Sequence, residues 1–111
     1  MSHLEHILQN KKFLEAKFNI LKYIRIFFDQ ENFLEIESPL IVKYPGQEPN
    51  LSPIELKVIN ERGQVFSGFL HTSPEYTMKK MLAAGFQKIF FLGKCFRNEE
   101  SFGGIHNPEF T

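Results

Sequence analysis

A chain of 111 residues with 42% apolar side chains has room for one small domain with a core. Thirteen basic and thirteen acidic residues cancel to zero net charge, and Lys and Arg are scattered rather than blocked, which excludes a general positive field for nucleic acid. One cysteine excludes an internal disulfide, and with neither a leader-like start nor a long apolar run, a cytoplasmic protein without a membrane partner is expected.

From about Asn10 to Gln30 the residues Phe13, Ala16, Ile20, Ile24 and Phe27, with Leu14, Leu21 and Phe28 beside them, recur at helical spacing. The pattern predicts a long amphipathic helix with a wide buried stripe. Asp29 to Asn32 break it, and Phe33 to Glu37 favour a strand ending at Ser38-Pro39. Leu40 to Pro53 is loop-like, with Pro45-Gly46, Pro49-Asn50 and Ser52-Pro53 as turn signals. Ile54, Leu56 and Val58 alternate with polar residues, Asn60 to Gly63 can turn, and Val65 to Leu70 can return, so an antiparallel hairpin is expected. His71 at its end suits either a ligand or base, or a structural histidine; no Cys, Asp or Glu stands at metal spacing beside it.

Thr72-Ser73-Pro74-Glu75 opens a helix that stops at Gly85. Either Ser73 caps it with Pro74 in the first turn, or Thr72 pairs with Glu75 as a capping box. Glu75 is accounted for by capping, or by a carboxylate that holds the ammonium group of an amino-acid substrate. Lys88 to Phe96 reads as a central strand covered on both faces, with Cys95 as a small core residue. Arg97 leaves this strand, Glu100 to Ile105 turn, and His106 to Phe110 begin a return. Alternation puts Arg97 and Glu99 on one face, and antiparallel pairing brings Phe110 onto it. Guanidinium, carboxylate and ring in this order suit a nucleoside triphosphate.

Phe96-Arg97-Asn98-Glu99, a short glycine-bearing loop and His106-Asn107-Pro108-Glu109-Phe110 together resemble motif 2 of the class II aminoacyl-tRNA synthetases, in the form of the lysine, aspartate and asparagine enzymes. The helix, strand and Pro39 resemble motif 1. Leu70-His71-Thr72-Ser73-Pro74-Glu75-Tyr76 followed by Met78-Lys79 is similar to one offshoot, the lysyl-tRNA synthetase-like elongation factor P lysine ligases, as is the run from Tyr44 to Leu56. The resemblance implies an α+β fold, the N-terminal part of a class II synthetase catalytic domain over residues 1–111, with an antiparallel sheet flanked by helices. It implies ATP, with Mg2+ in the full-length enzyme, and formation of an aminoacyl-adenylate from lysine or β-lysine, which is then transferred to a lysine of elongation factor P. It also implies a homodimer through the motif 1 region. By the same resemblance Arg97 binds the α-phosphate, Asn98 and Glu99 lie at the adenine and substrate edge, and His106 approaches the outer phosphates. Asn107 contacts ATP, Phe110 stacks on the base, and Ser73, Pro74 and Glu75 form the substrate-binding turn.

The relatives usually carry an arginine just before the histidine, where this chain has Phe102-Gly103-Gly104-Ile105. Motif 3, with a second phosphate-binding arginine, is not in the chain, so it is expected to be a truncated piece that does not turn over alone. A lysyl-tRNA synthetase fragment is the alternative enzyme, but no anticodon-binding module fits ahead of the motif 1 helix, and tRNA is not expected as a partner. A non-catalytic paralogue or dimerisation module is the alternative from another class.

Overall fold

The computed structural model describes residues 2–44, 52–98 and 107–111. The chain divides into two compact units, Met1–Glu35 and Ile36–Thr111.

In the first unit a short helix that the periodicity did not announce, α1 (His3–Gln9), starts on a capping box. The Glu5 N–H donates to Ser2 Oγ at 3.1 Å, and the Ser2 N–H donates back to the Glu5 carboxylate at 3.2 Å. Asn10 closes it, and α2 (Lys11–Gln30) follows. The end of α2 is fixed by a left-handed residue, Asn32, at φ 64°. The Phe33 N–H donates to Phe28 O at 2.9 Å and the Asn32 N–H to Asp29 O at 3.0 Å. This is the Schellman pattern, and its usual apolar contact is present as an edge-on pair of the Phe28 and Phe33 rings, 5.2 Å between centroids. The strand expected over Phe33 to Glu37 shortens to β1 (Leu34–Glu35), which Arg25 ties to the helix by donating from Nε to both carboxylate oxygens of Glu35 at 3.1 Å.

The expected stripe of α2 needs correcting. Phe13, Ala16, Ile20 and Phe27 are exposed, and no residue of the helix is fully buried. The half-buried positions are Leu14, Lys17, Leu21, Ile24 and Phe28; four of them belong to the expected stripe, on the side about 100° around the axis from Phe13, Ala16, Ile20 and Phe27. Two adjacent apolar stripes run along this helix, and only the second is sheltered.

The second unit holds a three-stranded antiparallel sheet of β2 (Ile41–Val42), β3 (Ile54–Ile59) and β4 (Val65–Leu70), ordered β2-β4-β3. The hairpin pairs Ile54 with Leu70 through to Ile59 with Val65, in the expected place. Its turn is held by Asn60, whose side-chain oxygen accepts the Arg62 and Gln64 N–H groups at 2.9 Å, while Gly63 takes φ +76°. Strand β2 was expected to be loop. It pairs Ile41 with Leu70 and Val42 with Phe69, close enough that a Cβ on Gly68 would lie 3.3 Å from Ile41 Cγ2. The turn signals from Pro45 to Asn50 lie outside the described residues.

Helix α3 (Glu75–Ala83) follows β4, and Gly85 at φ +110° ends its last turn. The single strand expected over Lys88 to Phe96 is instead two short ones, β5 (Ile89–Phe90) and β6 (Cys95–Phe96). The chain bends between them at Gly93, where the Phe91 ring lies 2.9 Å from where a Cβ would stand. An unbroken apolar run therefore marked burial, not strand continuity. Strand β7 (Glu109–Phe110) pairs antiparallel with β6. Ile36, Ile89, Phe90 and Cys95 form the buried apolar core, with His71 and Thr72 buried among the polar residues. Mixed helices and antiparallel strands are the expected fold class. No described helix is long and apolar enough to cross a membrane.

Candidate active site

The site is built first on the β6–β7 pair. Cys95 stands opposite Phe110 and Phe96 opposite Glu109, and the Arg97 N–H extends the ladder by donating to Pro108 O at 2.8 Å. Residues opposite one another across an antiparallel pair share a face, so Cys95, Arg97, Pro108 and Phe110 share one, and Phe96 and Glu109 the other. The side chains follow this register. The Arg97 guanidinium lies over the Phe110 ring, 5.1 Å from Cζ to the centroid. On the other face Lys94 Nζ approaches the Glu109 carboxylate at 3.8 Å.

Arg97 Nε is buried and donates to no acceptor among the described residues. A buried guanidinium N–H without an acceptor is costly, and a phosphate or carboxylate oxygen is the group that removes the cost. Cation, flat ring and open donor thus coincide at one place; of this, alternation predicted the shared face of Arg97 and Phe110. The next residue, Asn98, is exposed, and its N–H donates to Ser52 O at 2.7 Å. Asn107 begins the return segment and is half-buried. Glu99 and His106, together with the turn expected over Glu100 to Ile105, lie outside the described residues.

Cys95 is buried on the Arg97 face. Burial pushes its thiol above the ordinary value, and the nearby Arg97 charge only partly offsets that. A nucleophilic cysteine needs the opposite shift. The reading of Cys95 as a small core residue holds.

The second part is the turn into α3. Pro74 occupies the cap position and Glu75 the first helical one, so Pro74 sits one place earlier than the first-turn position expected for it. The hydrogen bond nevertheless belongs to the Ser73 register, with the Glu75 N–H donating to Ser73 Oγ at 3.3 Å. The Glu75 carboxylate pairs with Lys79 one helical turn later at 2.6 Å, in an exposed pair. An open cavity of about 580 Å³ adjoins the other side of this helix, between Ile41, Val42 and Tyr44 and the residues Tyr76, Thr77 and Lys80. Neither Arg97 nor Phe110 lines it, so it is not the Arg97 site. A small cavity of about 40 Å³ lies against His71, Thr72 and Ser73.

His71 joins the two parts. Nε2 lies 2.6 Å from Lys94 O, the Phe96 N–H donates to His71 O at 3.1 Å, and Ser73 follows two residues later. This bracket had no local signal in the sequence, because the partners stand 23 positions apart.

The family model for tRNA synthetases class II (D, K and N) matches residues 4–111. The chain is 42% identical over 99 residues to the elongation factor P–(R)-β-lysine ligase of Proteus mirabilis (strain HI4320), covering 88% of this chain and 30% of that protein. It is 42% identical over 101 residues to the ligase of the same name from Haemophilus influenzae (strain PittGG), covering 90% and 31%. A protein named as a homologue of that ligase, from Aquifex aeolicus (strain VF5), is 38% identical over 97 residues, covering 87% and 32%. The chain thus spans about a third or less of the length of these curated relatives. A family-model match over residues 4–111, nearly the whole chain, makes it a member of the class II tRNA synthetase family of the aspartate, lysine and asparagine type.

Proposed function

We propose that the protein carrying this chain is an ATP-dependent ligase that activates lysine or β-lysine and transfers it to a lysine of elongation factor P. The names of the relatives support that substrate pair. The observation that carries the chemistry is the Arg97 guanidinium on Phe110 with its Nε donor open.

In this reading ATP is a substrate. Phe110 offers its face to the adenine, and Arg97 gives up stacking on that ring to hold the α-phosphate. The lysine carboxylate attacks the α-phosphorus, the bond to the bridging oxygen breaks, and pyrophosphate leaves with its electron pair. Arg97 neutralises charge that builds on the phosphoryl oxygens, which is positioning and electrostatics rather than proton transfer. Glu75, in the first turn of α3, exchanges its Lys79 partner for the ammonium group of the amino acid. That pair is exposed and therefore weak, so the exchange costs little. Asn98, Glu99, His106 and Asn107 complete the contacts to ATP and substrate. Mg2+ is expected with the nucleotide. Among the described residues no group of three or more His, Cys, Asp or Glu is arranged to hold it, and none is assigned to it.

The exposed stripe of α2 supports a homodimer. Phe13, Ala16, Ile20, Tyr23 and Phe27 recur at alternating steps of three and four, the spacing of a helix seam.

The test is ATP–pyrophosphate exchange by the full-length protein with lysine or β-lysine, followed by transfer of labelled amino acid to elongation factor P. Arg97→Ala should lower exchange roughly a hundredfold or more. Unchanged exchange in that variant removes Arg97 from the site. Transfer to tRNA instead of elongation factor P replaces the ligase with a lysyl-tRNA synthetase.

A further inference from the structure

His71 is 3% exposed and stands where β4 ends and the turn into α3 begins. Its backbone N–H donates to Leu40 O at 2.8 Å, and its carbonyl accepts the Phe96 N–H at 3.1 Å. Its ring packs edge-on against Phe91, 5.7 Å between centroids, and tilted against Phe96 at 6.3 Å. The ring's Nε2 meets Lys94 O at 2.6 Å. A carbonyl only accepts, so Nε2 is the donor, and the other ring nitrogen, Nδ1, is left to be accounted for. That Nδ1 is buried and has no hydrogen-bond partner among the described residues.

An apolar side chain of similar size would fill this space without stranding a buried polar atom. What imidazole adds is the Nε2 bond to Lys94. That bond matters because β6 has only two residues, and its ladder partner β7 has only two as well. Such a pair is weakly held by itself. His71 grips it on both sides of Cys95, at Lys94 through the ring and at Phe96 through the backbone, immediately before Arg97.

We propose that His71 is a positioning residue for Arg97: its Nε2–H bond to the Lys94 carbonyl fixes β6 so that Arg97 leaves the strand on the same face as Phe110. Because Ser73 follows two residues later, the same histidine sets the phosphate-binding strand relative to the turn that carries Glu75. The catalytic consequence rests on the function proposed above; the anchor itself rests on geometry alone.

Two substitutions separate the bond from the bulk. In His71→Gln the amide nitrogen reaches about as far as Nε2, whereas in His71→Asn it stops near the place of Nδ1 and misses Lys94. In the full-length protein His71→Asn should raise the KM for ATP about tenfold, with the KM for the amino acid held within about twofold, and His71→Gln should restore most of the loss. The Arg97 Nε–H resonance should move in the Asn variant and stay in the Gln variant. An Asn variant that melts like the wild type, with unchanged KM for ATP and an unmoved resonance, overturns the proposal. So does a Gln variant as impaired as the Asn one. Should the Asn variant fail to fold, the ring nitrogens of wild-type His71 decide: a protonated Nε2 is expected, and the tautomer with a bare Nε2 rules the anchor out. If the wild type shows no exchange, the ligase reading falls, and the Arg97 resonance alone decides the anchor.

Discussion

Arg97 and Cys95 share a strand face, and the Arg97 charge acts on the Cys95 thiol. Burial raises the Cys95 thiol above its ordinary value of 9.0, and the guanidinium pulls back only part of that rise. The neutral thiol is then the form the folded chain favours, while an unfolded chain loses the proton first. The resulting stabilisation is complete below pH 9 and fades as pH climbs through the higher folded value. Melting temperature should therefore fall more steeply between pH 8 and pH 10 in the wild type than in Cys95→Ala, roughly one pH unit to either side of the ordinary value. Parallel slopes in the two proteins would contradict the assignment. Native Cys95 should also react slowly with iodoacetamide at neutral pH and quickly once the chain is denatured in urea.

At the scale of elements, the closure of α2 depends on a residue other than glycine in the left-handed region. Asn tolerates that region because its short side chain can bond locally, whereas a β-branched side chain clashes there. Asn32→Val should cost about 1–2 kcal/mol in urea denaturation, and Asn32→Gly should be close to neutral. Equal stability of the two variants would mean that the Phe28–Phe33 contact, not the backbone, sets the helix end. Such closures show how far sequence reasoning reaches. The β3–β4 hairpin was legible because alternation and an Asn-Glu-Arg-Gly turn agree. The approach of Arg97 to Phe110 was legible because two short segments obey the same alternation. Helix α1 was legible in principle, since Ser2 and Glu5 carry the capping-box spacing, but a short helix with no buried residue has little periodicity to see. The sheltered side of α2 was not legible, because both neighbouring stripes are apolar and only packing selects one. The break between β5 and β6 was hidden for a related reason: Ile89 to Leu92 are apolar whether the chain runs straight or bends at Gly93.

For the whole molecule, the distribution of apolar side chains is the main clue. Among the described residues four apolar ones are buried to the level of a core, while Phe13, Phe18, Tyr23 and Phe27 of α2 each stand more than half exposed. At the hairpin end Ile59, Val65 and Phe66 do the same. Exposed apolar groups in rows mark surfaces that something covers. On α2 the row Phe13, Ala16, Ile20, Tyr23 and Phe27 is straight and helical, which suits a second helix packed along it, and in the proposed reading that helix comes from a second copy. The prediction belongs to the assembled protein. Ile20→Glu combined with Tyr23→Lys should convert a dimer into a monomer in size-exclusion chromatography with light scattering. Lys22→Glu, a charge change at an exposed position off both stripes, should leave the dimer intact. Burying a new charge against an apolar partner costs more than a dimer contact of this length can supply, so the shift should be complete at micromolar protein. A wild type that is monomeric at that concentration, or a double variant that still dimerises, would remove α2 as the interface without touching the assignment of Arg97.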